Sequence, residues 1–290
     1  MIMRAWGHFT GLDRARMIQE STIEPGSTKR YYWLDLWRYR ELFRVLAWRD
    51  VSVRYKQTVI GFGWALVRPF LTMLVLTVVF GKIAGLPSEG AAPYALMVIA
   101  GILPWTFFST SLADASNSLV SNTNLITKVY FPRLIIPTAA VVVSFVDFLI
   151  SFGIALVLMA WYQFLPSWQM LFLPLFLAIA FLASLGPALW VTMLNVKYRD
   201  FRYVIPFLVQ FGLYVSPVGF SSKVIHEQWR LLYSINPMVG VIDGFRWCML
   251  GGQSQIYLPA LWLSLAVTAF FLWFGIRRFK TMERNIADLI

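Results

Sequence analysis

The sequence predicts an all-α integral membrane protein. It has six transmembrane helices, an N-terminal amphipathic interface helix, and short outer re-entrant helices between spans five and six. Three observations predict this. From Phe148 to Val196 the chain runs 49 residues without Asp, Glu, Lys or Arg. That is about two crossings of a bilayer core of roughly 30 Å, which needs about 20 apolar residues each. Apolar residues make up 59% of the chain and charged residues 13%, about half the usual charged share of a soluble domain. Finally, Lys and Arg collect on one side of the apolar stretches, the mark of membrane orientation.

Each span follows from its own stretch of sequence. Span one is about Phe62–Phe80, with Arg68 inside its cytoplasmic end. Span two lies in the charge-free stretch Gly90–Ala113, span three at about Leu134–Trp161 around Asp147, and span four at about Met170–Leu194. The turn Trp161–Gln169 between three and four is rich in Trp and Tyr, rings that settle at headgroup depth. Span five is Tyr203–Ser222 and span six about Ile256–Ile276. All are expected as helices, because a segment in lipid must satisfy its backbone hydrogen bonds within itself.

Three other segments have a pattern of their own. Within Tyr31–Arg49, residues Tyr32, Leu36, Tyr39, Phe43 and Leu46 recur at helical steps, with Arg38, Glu41, Arg44 and Arg49 mostly off that stripe. The pattern is that of a helix lying in the cytoplasmic interface. Asn117–Arg133 starts with Ser and Asn residues suited to capping. It continues as Leu125-Ile126-Thr127-Lys128-Val129, a short helix ended by Pro132 that presents Leu125, Ile126 and Val129 to a partner. Lys223–Gln255 reads as two short helices around the breaker Asn236-Pro237, dipping part way into the membrane rather than lying on its surface.

Basic residues from Arg4 to Arg68, then Lys128, Arg133, Lys197, Arg199 and Arg202, and finally Arg277 to Arg284 fall on one side. Lys82, Lys223, Arg230 and Arg246 remain on the other. Both termini are therefore expected in the cytoplasm. A net charge of +11 dispersed in this way fits topology and not a nucleic-acid partner. Residues 1–30 form a polar cytoplasmic segment without the apolar stretch of a signal peptide.

The sequence lacks a phosphate-binding G-x-x-x-x-G-K-[ST] loop, H-E-x-x-H and G-x-S-x-G. The chain is therefore expected to hydrolyse no ATP, to hold no metal and to carry no catalytic residues. Cys248 is the single cysteine, and His8 and His226 fall on opposite sides. A sugar-moving membrane enzyme would need more acid and His groups near a loop than Asp114 and Asp147 supply. A secondary carrier would need paired intramembrane charges or an internal repeat. Asp147 is the one ionisable residue deep in a span. It is either a lining or proton-relay group, or a structural acid held protonated or paired with Arg; its isolation favours the second. Tyr203, Phe207, Phe211 and Tyr214 share one helix face in span five. That face stacks on sugar rings or on lipid and neighbouring helices.

These pieces, in this order, resemble the permease subunit of ABC-2 type exporters for polysaccharides. The matching residues are Tyr39-Arg40-Glu41-Leu42, then Arg54-Tyr55-Lys56-Gln57-Thr58 with Gly61, Trp64 and Pro69. They continue with Asn124-Leu125-Ile126, Lys128 and Phe131-Pro132-Arg133, then Lys197-Tyr198-Arg199-Asp200, Ser216-Pro217, and Asn236-Pro237 with Arg246. The resemblance covers residues 31–285 as one ABC-2 type transmembrane domain, with 286–290 as a cytoplasmic tail. It implies a channel formed with a second copy of the chain in the bacterial cytoplasmic membrane, driven by separate ATPase subunits that carry the ATP and Mg. Asn124, Leu125, Ile126, Lys128, Phe131, Pro132 and Arg133 would dock on the ATPase. Tyr203, Phe207, Phe211 and Tyr214 would line the glycan channel. Arg54, Lys56 and Arg68 would meet the phosphates of a polyprenyl-linked, O-antigen-like cargo. Capsule, teichoic acid and a smaller lipid or drug are the alternative cargoes.

Overall fold

The computed structural model describes residues 32–56, 63–198 and 200–283. The segment 1–30, Gln57, Thr58, Gly61, Arg199 and the tail 286–290 lie outside the described residues. The chain divides into two units after Arg38. In the first, α1 (Tyr32–Arg38) is a short helix with an Asp35–Arg38 pair one turn apart at 3.9 Å. The expected stripe thus crosses a break at Tyr39. Of its members in the second unit only Leu46 is buried, with Ala47 beside it.

Among its described residues, every regular element of the second unit is a helix. Helix α2 is Arg40–Lys56, and α3 is Gly63–Leu76 continued by a π-helical turn, Thr77–Ile83. Helix α4 is Tyr94–Ser121, α5 Thr123–Lys128, α6 Ile135–Trp161 and α7 Leu173–Lys197 after a 3₁₀ turn. Helix α8 is Phe201–Val215, α9 Glu227–Tyr233, α10 Pro237–Met249 and α11 Leu258–Met282. Among the described residues, five segments are long and apolar enough to cross a membrane: Gly63–Ile83, Tyr94–Ser121, Ile135–Trp161, Trp168–Lys197 and Leu258–Met282. Their places agree with expected spans one to four and six.

Helix α4 is the axis of the bundle. Its residues Leu96 to Leu103 are at most 1% exposed wherever they are apolar. It outruns its expected end at Ala113 by two turns. Ser116, Asn117, Ser118 and Ser121, which read as caps, instead return their side chains to carbonyls three or four residues back. Such back-bonding satisfies these side chains inside the helix. Thr192 and Asn195 of α7 then bond Ala115 and Ser116 carbonyls at 2.9 Å each, which ties α7 to the C-terminal end of α4.

Helices α7 and α11 approach through two glycines. A Cβ built at Gly275 would stand 2.2 Å from the Gly186 carbonyl oxygen, so only hydrogen fits there, as in other close crossings between membrane helices. Pro69 in α3 has no N–H for the Ala65 carbonyl. The Ser151 hydroxyl of α6 lies 2.8 Å from that carbonyl and equally 2.8 Å from the Asp147 carbonyl of its own helix, so its one proton is shared between them.

One expectation needs correction. The stretch 203–222 is helical only as far as Val215, roughly 22 Å of rise against roughly 30 Å of bilayer core. Ser216, Pro217, Val218 and Gly219 continue it as buried non-helical chain. Proline biases its predecessor Ser216 away from helix, and Ser216 sits at ψ 151°. Helix α10 starts at the Asn236 cap, whose side chain accepts from the Met238 N–H. Its residues Met238 to Phe245 are buried, so it belongs to the core of the unit.

Candidate functional site

A cavity of about 640 Å³ opens between α2, α3, α4, α6 and α8. Its floor is an ion-pair network. Arg54 sits in the last turn of α2, where a cation also suits the helix dipole. Its two terminal nitrogens reach different helices: Nη1 donates to Asp147 of α6 at 2.6 Å, and Nη2 to Asp114 of α4 at 2.7 Å. Tyr55 donates to the other Asp147 oxygen, and Ser144 Oγ stands 3.3 Å from Asp114. Burial, then the hydrogen bond to Asp147 and the charge of that carboxylate, push the Tyr55 phenol up, so it remains a donor. These are charge-assisted bonds, the stronger kind. Asp147 is therefore paired with Arg, across 93 residues of sequence.

The network separates the three basic residues of the expected entry. Arg54 is committed to two carboxylates. Lys56 is exposed at the end of α2. Arg68, one turn into α3, lines the cavity at its exposed side and pairs with no acid among the described residues.

The expected aromatic face is present on α8. Tyr203, Phe207, Phe211 and Tyr214 are 57–78% exposed, and the Phe207 and Phe211 rings stack at 6.2 Å. The opposite face docks inward through Ile205 and through Gly212 against Trp105. Pro206, Val209 and Gln210, beside the aromatic face, line the cavity. One helix thus carries both an aromatic surface and a wall of the polar cavity.

The expected docking loop divides into outward and inward residues. In and after α5, Asn124 and Lys128 are exposed and Leu125 is half-buried. Ile126, Phe131 and Pro132 turn inward, so Ile126 is not presented as expected. Val129, expected at the surface, and its neighbour Tyr130 are 50% and 62% exposed. The loop is held at both ends. Arg49 of α2 donates to Asn122 Oδ1 at 2.8 Å. The Arg133 N–H donates to Glu283 Oε1 at 2.7 Å, and its Nη1 donates to the Glu283 carbonyl at 2.5 Å.

At the other end of the bundle lies a centre that counting charges by side concealed. Arg246 of α10 is completely buried. It donates to the carbonyls of Val218 and Phe220 at 3.0 Å each, to Met97 O at 3.3 Å and to Glu89 Oε1 at 3.4 Å. Tyr94 donates to Gly219 O at 2.6 Å. The irregular chain after α8 is therefore satisfied by side chains, as buried backbone requires. One turn back on α10, Asp243 accepts from Ser222 Oγ at 2.8 Å.

Residues 41–250 match the family model described as ABC-2 type transporter. A Myxococcus xanthus protein named O-antigen export system permease protein RfbA is 26% identical over 258 residues, 88% of this chain and 98% of that protein. A Klebsiella pneumoniae protein of the same name is 24% identical over 253 residues, 86% of this chain and 95% of that one.

Proposed function

The chain belongs to the ABC-2 type transporter family, and from that membership we propose that it is the membrane subunit of an ATP-driven polysaccharide exporter. The observation that carries the cargo class is the match along nearly the whole length of relatives named for O-antigen export. The exposed aromatic face of α8, bordering a polar cavity, supports it. Sugar rings offer apolar C–H faces to aromatic rings and hydroxyls to polar walls.

In this reading α8 and the buried segment to Phe220 make the sixth crossing, a broken helix of the kind that lipid tolerates only inside protein. Both termini then lie in the cytoplasm, in agreement with the distribution of basic residues. Two copies form the channel in the bacterial cytoplasmic membrane. Helices α9 and α10 form its outer gate. Asn124, Lys128, Val129 and Tyr130 offer the surface on which a separate ATPase docks, while Ile126, Phe131, Pro132 and Arg133 fix the loop to the bundle. Arg133, bound to Glu283, would pass a push on the loop to the end of α11. The cargo is a glycan on a polyprenyl diphosphate lipid.

Two measurements test this. The chain purified from its native membrane should bring an ATPase subunit with it and show no ATP hydrolysis when alone. Repeated recovery without any nucleotide-binding protein argues against the reading. Phe207→Ala and Tyr214→Ala should each lower surface glycan several-fold with the yield of assembled protein unchanged, since aromatic–ring contacts contribute about 1 kcal/mol each. Full export in both variants would remove the aromatic face from the channel.

A further inference from the structure

Trp64 and Arg68 lie four residues apart on α3 and both line the cavity. That spacing sets an indole and a guanidinium side by side on one helix face. Trp64 is 52% exposed and stacks on no ring among the described residues. Arg68 lies beyond ion-pair distance of every described carboxylate. Across the cavity, the Gln210 amide of α8 is exposed and has no hydrogen-bond partner among the described residues. The remaining charges of the cavity are matched internally, Arg54 with Asp114 and Asp147. Three groups without a side-chain partner among the described residues therefore line one cavity: a cation with a planar donor fork, an aromatic plate, and an amide that both donates and accepts.

We propose that Trp64, Arg68 and Gln210 form a binding subsite for a phosphate group attached to a hydroxylated ring, a glycosyl phosphate. Arg68 takes the phosphate by charge-assisted hydrogen bonds. Trp64 takes an apolar face of the ring, and Gln210 its hydroxyls. Arg54 takes no part in binding; Asp114 and Asp147 hold it to the cavity floor, where it fixes α2 to α4 and α6. This rests on the exporter reading for the identity of the ring as a sugar. A phosphate in this place has two sources, the lipid carrier of the cargo or an ordinary anionic phospholipid that Arg68 meets by reaching to the headgroups.

The test uses the full chain, with its partner subunits, in nanodiscs. The probes are polyprenyl diphosphate bearing one N-acetylhexosamine, polyprenyl phosphate without sugar, and phosphatidylglycerol. Arg68→Gln should weaken both polyprenyl probes by about tenfold or more and leave phosphatidylglycerol unchanged. Arg68→Lys should recover only part, since an ammonium keeps the charge without the fork. Trp64→Leu should weaken the sugar-bearing probe alone. All three side chains are exposed, so the variants should fold, and an unchanged melting temperature confirms it. Equal binding by Arg68→Gln overturns the subsite. Equal loss of all three probes reduces Arg68 to a headgroup anchor and overturns it as well. In cells, normal surface glycan in Arg68→Gln sinks the subsite and leaves the exporter reading standing. Normal surface glycan after removal of the whole chain sinks the exporter reading itself, and the binding series still decides the subsite.

Discussion

Replacing Arg246 by Met should cost the protein about 3–5 kcal/mol, the usual penalty for removing one partner of a buried ion pair. The side chain is fully buried, and four of its five N–H groups have acceptors. Met keeps much of the volume and none of the donors. The carbonyls of Val218 and Phe220 then lose a partner where no helix supplies another, at about 1–3 kcal/mol for each buried orphan. Glu89, 3% exposed, is left as an unpaired buried carboxylate. The expected result is a low yield of folded chain and a clearly lowered melting temperature, read from intrinsic Trp fluorescence of the full chain in detergent. Adding Glu89→Gln should return part of the loss, because the stranded charge disappears while the orphaned carbonyls remain. A wild-type melting temperature in Arg246→Met would show that the irregular chain after α8 does not depend on this side chain.

Much of this architecture is legible in the sequence, for identifiable reasons. Helix α6 was expected from Leu134 to Trp161 and runs Ile135–Trp161, because its stops are local: Pro132 before it and a polar turn after it. The Asn236-Pro237 start of α10 is local too, a side-chain cap followed by a residue preset for the first helical turn. The end of α4 was misread because Ser and Asn serve equally as caps and as partners for carbonyls one turn back, and composition does not distinguish the two. The end of α8 had a signal, Pro217 followed by Gly219, that its apolar neighbours outweighed.

The candidate site was legible as types of residue and not as partners. Arg54, Asp114 and Asp147 were each visible as charges near spans. Their pairing spans 60 and 93 residues and depends on how three helices pack, which periodicity does not encode. The aromatic face of α8 was readable because a face is a property of one helix. Ile126 faces inward where the pattern predicts it outward, because which side of a short loop faces the bundle is set by the bundle. Arg246 was counted among the outer charges when it is the most deeply buried cation described. A positive charge in an outer loop and one that holds a broken helix look the same in a string of letters.

Asp243→Asn should raise stability at neutral pH and remove a pH dependence that the wild-type chain possesses. Burial pushes the Asp243 carboxyl up from its ordinary 3.8 to about 6, and the negative charge of Glu89 adds to this. Arg246, the Ser222 hydroxyl and Arg230 act in the other direction. Tyr233 also faces it, with a phenol that burial first and the Asp243 charge second push up, so it stays neutral over the range considered. Arg230 is engaged over the Tyr257 ring at 4.5 Å. Arg246 is shared among four acceptors, so around it one positive charge meets two carboxylates. A carboxyl whose folded pKa is raised binds its proton more tightly folded than unfolded. Its destabilising effect is absent below about pH 4, grows as pH rises through about 4 to 6, and is constant above. At about 1.4 kcal/mol per pH unit, that window is worth about 3 kcal/mol. Melting of the full chain at intervals from pH 7.5 to pH 4.5, wild type against Asp243→Asn, isolates this contribution from that of every other carboxylate. The variant should be the more stable at pH 7.5, with the gap closing as the solution is acidified, because Asn still accepts from Ser222 and never ionises. A gap that stays constant, or that opens towards acid, would mean that Asp243 remains charged throughout. Arg246 would then offset both carboxylates at once, and this end of the bundle would be held by charge attraction at every pH tested.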